Sequence, residues 1–332
     1  MAKTPISASS DSRPLWQRLL LRRLKFLVVV ALVLGIGAGL VYLFAPSLLL
    51  KADAARLAMA SHVEKKTIVA GDTTWSYYEG GDGPTIVLLH SFAANKETWL
   101  EMAKGLTDHF HVVIPDLPGW GESSRNEGGD YGIPAQAARL EAFAAAVGAQ
   151  RFLLVGQSMG GAIAGIYAEQ HPERVASLVL MSSLGLTFKD NDFTREVKAG
   201  ANPFLYSDRA GLEALLARIF LTPPHIPGRL EDALVARNQK DHAFIERTFN
   251  QLKQPAQAFA LDPVIGKLPM PVLGLWCRED KIIDVSALDT LRGGLKSSPS
   301  IGATILNGCN HMPMLEKPEE TARIITGFAL AH

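Results

Sequence analysis

The sequence predicts an α/β protein: a mostly parallel sheet of eight strands with helices on both faces and a helical insertion, preceded by one membrane-spanning helix. Three observations carry this. Residues 26–50 hold no charged side chain. From residue 67 onwards, short apolar runs alternate with stretches of helical spacing, as in a parallel sheet covered on both faces. Residues 155–161 read Val-Gly-Gln-Ser-Met-Gly-Gly and fit Gly-x-Ser-x-Gly, the signature of a serine on a sharp turn between a strand and a helix.

The first 25 residues are polar, with Arg18, Arg22, Arg23 and Lys25 near their end. The uncharged stretch that follows is long enough to cross a bilayer with some tilt. It lacks the polar face a soluble helix needs. Ala52-Asp53-Ala54 imitates a signal-peptide cleavage site, but the run exceeds the roughly 7–15 apolar residues of such a peptide. The basic cluster before the span predicts a cytoplasmic N-terminus, with the rest of the chain on the trans side, whether periplasmic, extracellular or lumenal.

Residues 51–66, rich in Ala, Lys and Glu, are expected to be a linker. Strands follow at 67–69 and 73–78, a hairpin around Gly71-Asp72. Residues 85–89 form a strand ending in His90-Ser91-Phe92, and 96–106 the next helix. After the strand 111–114 comes Asp116-Leu117-Pro118-Gly119-Trp120-Gly121, a turn-rich loop. Helix 136–147 has Ala137, Leu140, Phe143, Ala144 and Val147 on one face. The strand 152–155, the helix beyond Ser158 and the strand 177–181 continue the alternation. It stops at 186–267, where charged helical pieces such as 208–220 and 230–242 are broken by Pro203, Pro223-Pro224 and Pro227. This region is expected to cap the carboxyl edge of the sheet. The core, 67–185 and 268–332, then resumes with strand 272–276, helix 285–295, strand 303–306 and helix 318–330.

A serine hydroxyl needs a base, and the base needs a group that holds its tautomer. In such sheets the partners sit on loops at carboxyl ends of strands. After Ser158 two loops qualify: Arg278-Glu279-Asp280, with Glu279 and Asp284 competing with Asp280 for the role of acid, and Asn310-His311. Of the nine histidines, His311 stands apart through its apolar surround of Met312, Pro313 and Met314, while His90 reads as a loop-fixing residue. Basic and acidic residues balance at 33 each, so nothing favours nucleic acid. The two cysteines, Cys277 and Cys309, lack metal-site spacing, and no metal or cofactor is expected. They fall just past neighbouring strands, where they are either bonded to each other or buried as small apolar residues.

Over residues 63–330 the chain resembles the α/β-hydrolase superfamily, and within it the cap-bearing, membrane-associated lipases and monoacylglycerol lipases. The resemblance rests on Leu88-Leu89-His90-x-Phe92, Asp116-Leu117-Pro118-Gly119, Gly156-x-Ser158-Met159-Gly160-Gly161, residues 278–285 and His311-x-Pro313-Met314-Leu315-Glu316. It implies Ser158 as nucleophile, Asp280 as orienting acid, His311 as base, and the backbone N–H groups of Phe92 and Met159 as the oxyanion hole. Ser91, Cys277 and Asn310 stand where the family usually has glycine. The implied activity is hydrolysis of lipid-like carboxylic esters at a membrane. Two other functions compete: cleavage of a carbon–carbon bond in a ring-cleavage diketone, and a catalytically silent anchored binding protein. In the cap, Leu212, Leu215, Leu216 and Ile219 share a helical face that either packs on the core or lines an acyl tunnel.

Overall fold

The computed structural model describes residues 14–332; the start of the expected basic segment lies outside the described residues. The chain divides into two compact units after Leu50. In the first, a helix runs from Leu15 to Phe44 with no residue buried, and carries the basic cluster on its early turns. The uncharged stretch does not continue as one helix to residue 50. Ala45 takes an extended φ of −143° and a second helix, Pro46–Ala60, starts at the proline. A proline disfavours α geometry in the residue before it and supplies no N–H to the preceding turn. The uncharged helical part, 26–44, is roughly 28 Å long at about 1.5 Å per residue, close to the hydrocarbon thickness of a bilayer. Within residues 51–66, expected as a linker, the chain is helical to Ala60, and the first strand begins at Val63.

The second unit is built on eight strands: β1 (Val63–Ala70), β2 (Thr73–Gly80), β3 (Thr85–Leu89), β4 (His111–Pro115), β5 (Phe152–Gln157), β6 (Val175–Met181), β7 (Val272–Cys277) and β8 (Ile301–Leu306). Their order is β1-β2-β4-β3-β5-β6-β7-β8. The β1–β2 and β2–β4 pairs are antiparallel, and every later pair is parallel. Side chains alternate across the pleat, so an apolar run without polar interruptions must bury both faces. Val87, Leu89, Val113, Leu154 and Leu178 pack into one core, and Ile86, Leu88, Val112, Val155 and Val179 into another.

After β3 the chain crosses to β4 on one side, whereas after β5 it crosses to β6 on the other. The loops leaving β3 and β5 therefore diverge and open a crevice beyond their carboxyl ends, the usual site in open α/β sheets.

Between β6 and β7 the chain adds no strand. It forms helices Asp192–Lys198, Arg209–Ile219, Gly228–Lys240 and His242–Leu252, and the short turn Pro255–Ala258. Asn191 and Thr194 cap the first of these reciprocally, and Asp208 accepts from the Gly211 N–H to start the second. The fourth buries Phe244, Ile245, Thr248, Phe249 and Leu252, one face at helical spacing. The two ends of the insertion meet: Gly185 N–H donates to Ala258 O (3.1 Å) and Leu261 N–H to Gly185 O (2.8 Å).

Candidate active site

Ser158 lies between β5 and the helix Met159–Gln170 with φ 53° and ψ −118°, a conformation that side chains other than glycine avoid. Such strain costs on the order of 1–3 kcal/mol and persists only where surrounding packing imposes it. Two glycines make that packing feasible. A Cβ on Gly156 would stand 2.2 Å from Gly160 O, and one on Gly160 would stand 2.3 Å from Leu89 O. Their absence lets the helix start directly against the ends of β3 and β5. Ser158 N–H donates to Met181 O, and its carbonyl accepts from Gly161, Ala162 and Leu184, so the turn is fixed from both sides.

Asp280, just past β7, and His311, just past β8, come together. The His311 Nδ1–H donates to Asp280 at 3.0 Å to Oδ2 and 3.1 Å to Oδ1. Both residues are buried. Asp280 Oδ1 also accepts from the Ile282 and Ile283 N–H groups at 2.9 and 3.0 Å, which stabilises its charge. The competing acids are engaged elsewhere: Glu279 accepts from Gly308 N–H, and Asp284 from Ser286 N–H.

Other residues set the histidine loop, in roles that motif membership alone does not reveal. Asn310 accepts from Lys281 N–H (2.8 Å) and donates to Arg218 O at the end of the second inserted helix (2.7 Å). Glu316 accepts from Asn310 N–H and from Leu221 N–H, both at 2.7 Å. His311 N–H donates to Ile219 O, and the Gln157 amide to His311 O. Asn310 thus ties acid loop, base loop and insertion together, a task glycine could not perform. None of Ser91, Cys277 and Asn310 takes a positive φ, so no glycine is required at these positions.

Cys277 and Cys309 form a disulfide with Cα atoms 5.3 Å apart. The bond joins the chain three residues before Asp280 to the chain two residues before His311, so the loops of both are tied covalently.

The loop after β3 is held at two points. His90 Nε2 accepts from Leu117 N–H (2.9 Å) and its Nδ1–H donates to Ser91 O (2.8 Å). Burial pushes the pKa of His90 down to about 4, so the ring is neutral, as this pair of bonds requires. Farther on, Lys96 is fully buried, a place where a lysine is rare. Its Nζ contacts Asp116 Oδ2 (2.6 Å), Glu122 Oε2 (3.0 Å) and Glu97 Oε1 (3.1 Å). Burial alone would lower its pKa, but the carboxylates of Asp116 and Glu97 raise it above the ordinary value. Asp116 also accepts from the Lys96 and Glu122 N–H groups at 2.8 Å. Between these anchors lies the segment carrying Phe92, with Ala93 at φ 55°.

Phe92, Ser158 and Met159 line one cavity of about 330 Å³, within the range of small-molecule sites. Its walls are almost wholly apolar: Phe193 and Val197 from the first inserted helix, Phe204, and Phe249 and Leu252 from the fourth. Phe92 stacks edge-on against Phe204 at 5.0 Å between ring centres. The leucine face of the second inserted helix takes no part in this cavity. Of that face, Ile219 packs on both cores and Leu212 is buried, while Leu215 lines a second, smaller cavity. Among the described residues no cluster of His, Cys, Asp and Glu could hold a metal ion.

A family model for the α/β hydrolase fold matches residues 84–318. Monoacylglycerol lipase abhd6-B of Xenopus laevis is 31% identical over 258 residues, which cover 75% of this chain and 76% of that protein. Lipase 1 of Psychrobacter immobilis is 28% identical over 266 residues, 78% of this chain and 81% of that one. Among solved structures, a membrane phospholipase A described as a bacterial virulence factor matches with a TM-score of 0.83 at 34% identity, covering 92% of this chain and 98% of that chain.

Proposed function

The chain belongs to the α/β-hydrolase fold family, and on that premise we propose that it is a membrane-anchored serine hydrolase of monoacylglycerols or similar single-chain lipid esters. That it is a carboxylic ester hydrolase acting on lipid esters follows from its lipase relatives. The observation that supports the finer reading is Ser158, held in a strained turn at the wall of a cavity lined by phenylalanines.

In this reading the Ser158 hydroxyl attacks the ester carbonyl while His311 Nε2 takes its proton. Asp280 holds the opposite ring nitrogen protonated and stabilises the imidazolium that forms. The carbonyl oxygen, now an oxyanion, is met by the N–H groups of Phe92 and Met159. Met159 opens its helix, where the first N–H groups have no intrahelical acceptor. Collapse of the tetrahedral intermediate expels the alcohol, protonated by His311, and leaves an acyl ester on Ser158. Water, activated by His311, then releases the fatty acid and restores the hydroxyl.

An acyl chain gains roughly 0.8 kcal/mol per buried methylene, about fourfold in rate constant for each one. The expected result is a kcat/KM that climbs from acetate esters towards medium-chain esters and levels off once the cavity is full. A series from acetate to decanoate, measured below micelle formation, checks this. A steady fall along the series overturns the lipid reading, and preferential turnover of a ring-cleavage diketone replaces it with carbon–carbon bond cleavage.

The helix Leu15–Phe44 is the proposed anchor, with the catalytic unit on the trans side. The support is the position of Arg18, Arg22, Arg23 and Lys25 ahead of the uncharged stretch. A reporter enzyme fused after His332 is expected to work only on the trans side; activity confined to the cytoplasm refutes the orientation.

A further inference from the structure

The start of the insertion is stitched to the loop that carries Asp280. Asn191, which caps the first inserted helix, donates from its side-chain amide to Lys281 O (3.1 Å) and Ile282 O (3.3 Å). Lys189 N–H donates to Ser286 Oγ (2.9 Å), and the Thr290 hydroxyl to Thr187 O (2.7 Å). Both stitched segments face the acyl cavity. Phe193, Thr194 and Val197 of the helix line it, and so do Ile282 and Ile283 of the loop. Asn191 itself is not among the lining residues. The two isoleucines serve two purposes. Their side chains are buried at the cavity wall, and their N–H groups hold Asp280 Oδ1 at 2.9 and 3.0 Å. Ile283 O in turn accepts from the Trp276 indole at 3.2 Å, which fixes the far end of the turn. Hydrocarbon wall and carboxylate cradle are therefore one short piece of backbone. A ligand shifts a conformational equilibrium only by its difference in affinity for the two states. An acyl chain packed on Ile282 and Ile283 has such a difference, since it favours the loop conformation that also holds Asp280.

We propose, on the ester-hydrolase reading above, that Ile282, Ile283 and Asn191 make acyl length a determinant of catalytic rate as well as of affinity. A chain long enough to press on the two isoleucines holds the Asp280 carboxylate against His311, and Asn191 keeps helix and loop together while it does so. Asn191 is a positioning residue, acting through the loop without touching substrate. Binding energy from a remote part of the substrate then appears in the transition state, where the His311 imidazolium needs its carboxylate. The acyl group stays at Ser158 through both halves of the reaction, so acylation and deacylation gain alike.

The test uses the full-length protein in digitonin, a detergent without an alkyl chain, with nitrophenyl acetate and nitrophenyl decanoate below micelle formation. Stopped-flow release of nitrophenolate in the first turnover separates the maximal acylation rate from the half-saturating concentration, and slow loss of the fatty acid does not mask it. Coupling between two sites is typically about 5–150-fold, and a maximal rate about tenfold higher for decanoate than for acetate is expected. Asn191→Ser keeps an oxygen to cap the helix and loses the amide that reaches the loop. It is expected to lower that ratio about fivefold while the half-saturating concentration of decanoate changes by less than about twofold. Ile282→Val combined with Ile283→Val shortens both side chains and keeps both N–H groups. This pair is expected to lower the ratio severalfold, and it decides the matter should Asn191→Ser fail to fold. Equal maximal rates for the two esters in the wild type, with chain length read wholly in half-saturation, overturn the inference and leave the lipid-ester hydrolase intact. A ratio that neither variant moves overturns it too, as does a loss in Asn191→Ser confined to half-saturation, the result a merely structural helix cap would give. A kcat/KM lower for decanoate than for acetate defeats the lipid reading itself.

Discussion

Replacing Ser158 with alanine is expected to lower kcat by roughly a thousandfold or more, and His311→Ala to do the same. The double variant is expected to be no worse than either single one. A serine without its base and a base without its serine are equally unable to start the reaction, so the losses do not add. Asp280→Asn is expected to cost about 10⁴ in kcat. The Asp280 carboxylate accepts the Nδ1–H of His311 at 3.0 Å, and an amide presenting its NH₂ there would turn the ring to the wrong tautomer. A fluorophosphonate probe supplies a second readout, since labelling is lost with Ser158→Ala and slowed with Asp280→Asn. A Ser158→Ala enzyme that retained a tenth of the wild-type rate would refute the assignment.

The second large effect concerns stability. Lys96→Met removes the cation that touches a fully buried Asp116 and is expected to destabilise the protein by about 3–5 kcal/mol, because an uncompensated charge remains behind. Adding Asp116→Asn removes that charge, so the double variant should lose less than the two single changes together. The difference expected for such a pair is about 0.5–3 kcal/mol. Denaturant unfolding in detergent, followed by tryptophan fluorescence, measures all three. A Lys96→Met variant that unfolds within 1 kcal/mol of wild type would show that the contact contributes little.

Much of this was legible before the structure. The run at 152–155 followed by small residues could only be a buried strand feeding a close-packed helix, and the two glycines flanking Ser158 do meet backbone oxygens as such a turn requires. His90 was readable as a loop-fixing residue. The choice among Glu279, Asp280 and Asp284 was not readable from spacing, because all three lie within one loop and accept from backbone N–H groups, and only geometry shows which of them also meets a histidine ring.

Lys96 was illegible for another reason. In Asn95-Lys96-Glu97 it has every mark of a solvated residue, and its burial is decided by a carboxylate 20 positions away. The acyl cavity escaped as well. Phe193 and Val197 sit one turn apart in a short, charged helix that no periodicity singles out. The conspicuous leucines at 212–219 stand outside that cavity, because amphipathic spacing shows that a face is covered but not by what.

The insertion between β6 and β7 leaves and re-enters the core at almost one point, through the bonds joining Gly185 to Ala258 and Leu261. Most side chains that line the acyl cavity belong to it, while Ser158, Asp280 and His311 lie outside it. A chain arranged this way keeps its reacting groups and most of its substrate-lining residues in separate stretches of the gene, joined where residues 218–221 brace the histidine loop. The segment between Gly185 and Leu261 could be lengthened, shortened or exchanged with its two ends rejoined where they already touch, provided that residues 218–221, whose backbone groups hold the histidine loop, are kept. Substrate choice in such a lineage can then drift by replacement of one continuous block, while the strands that hold the reacting groups stay as they are.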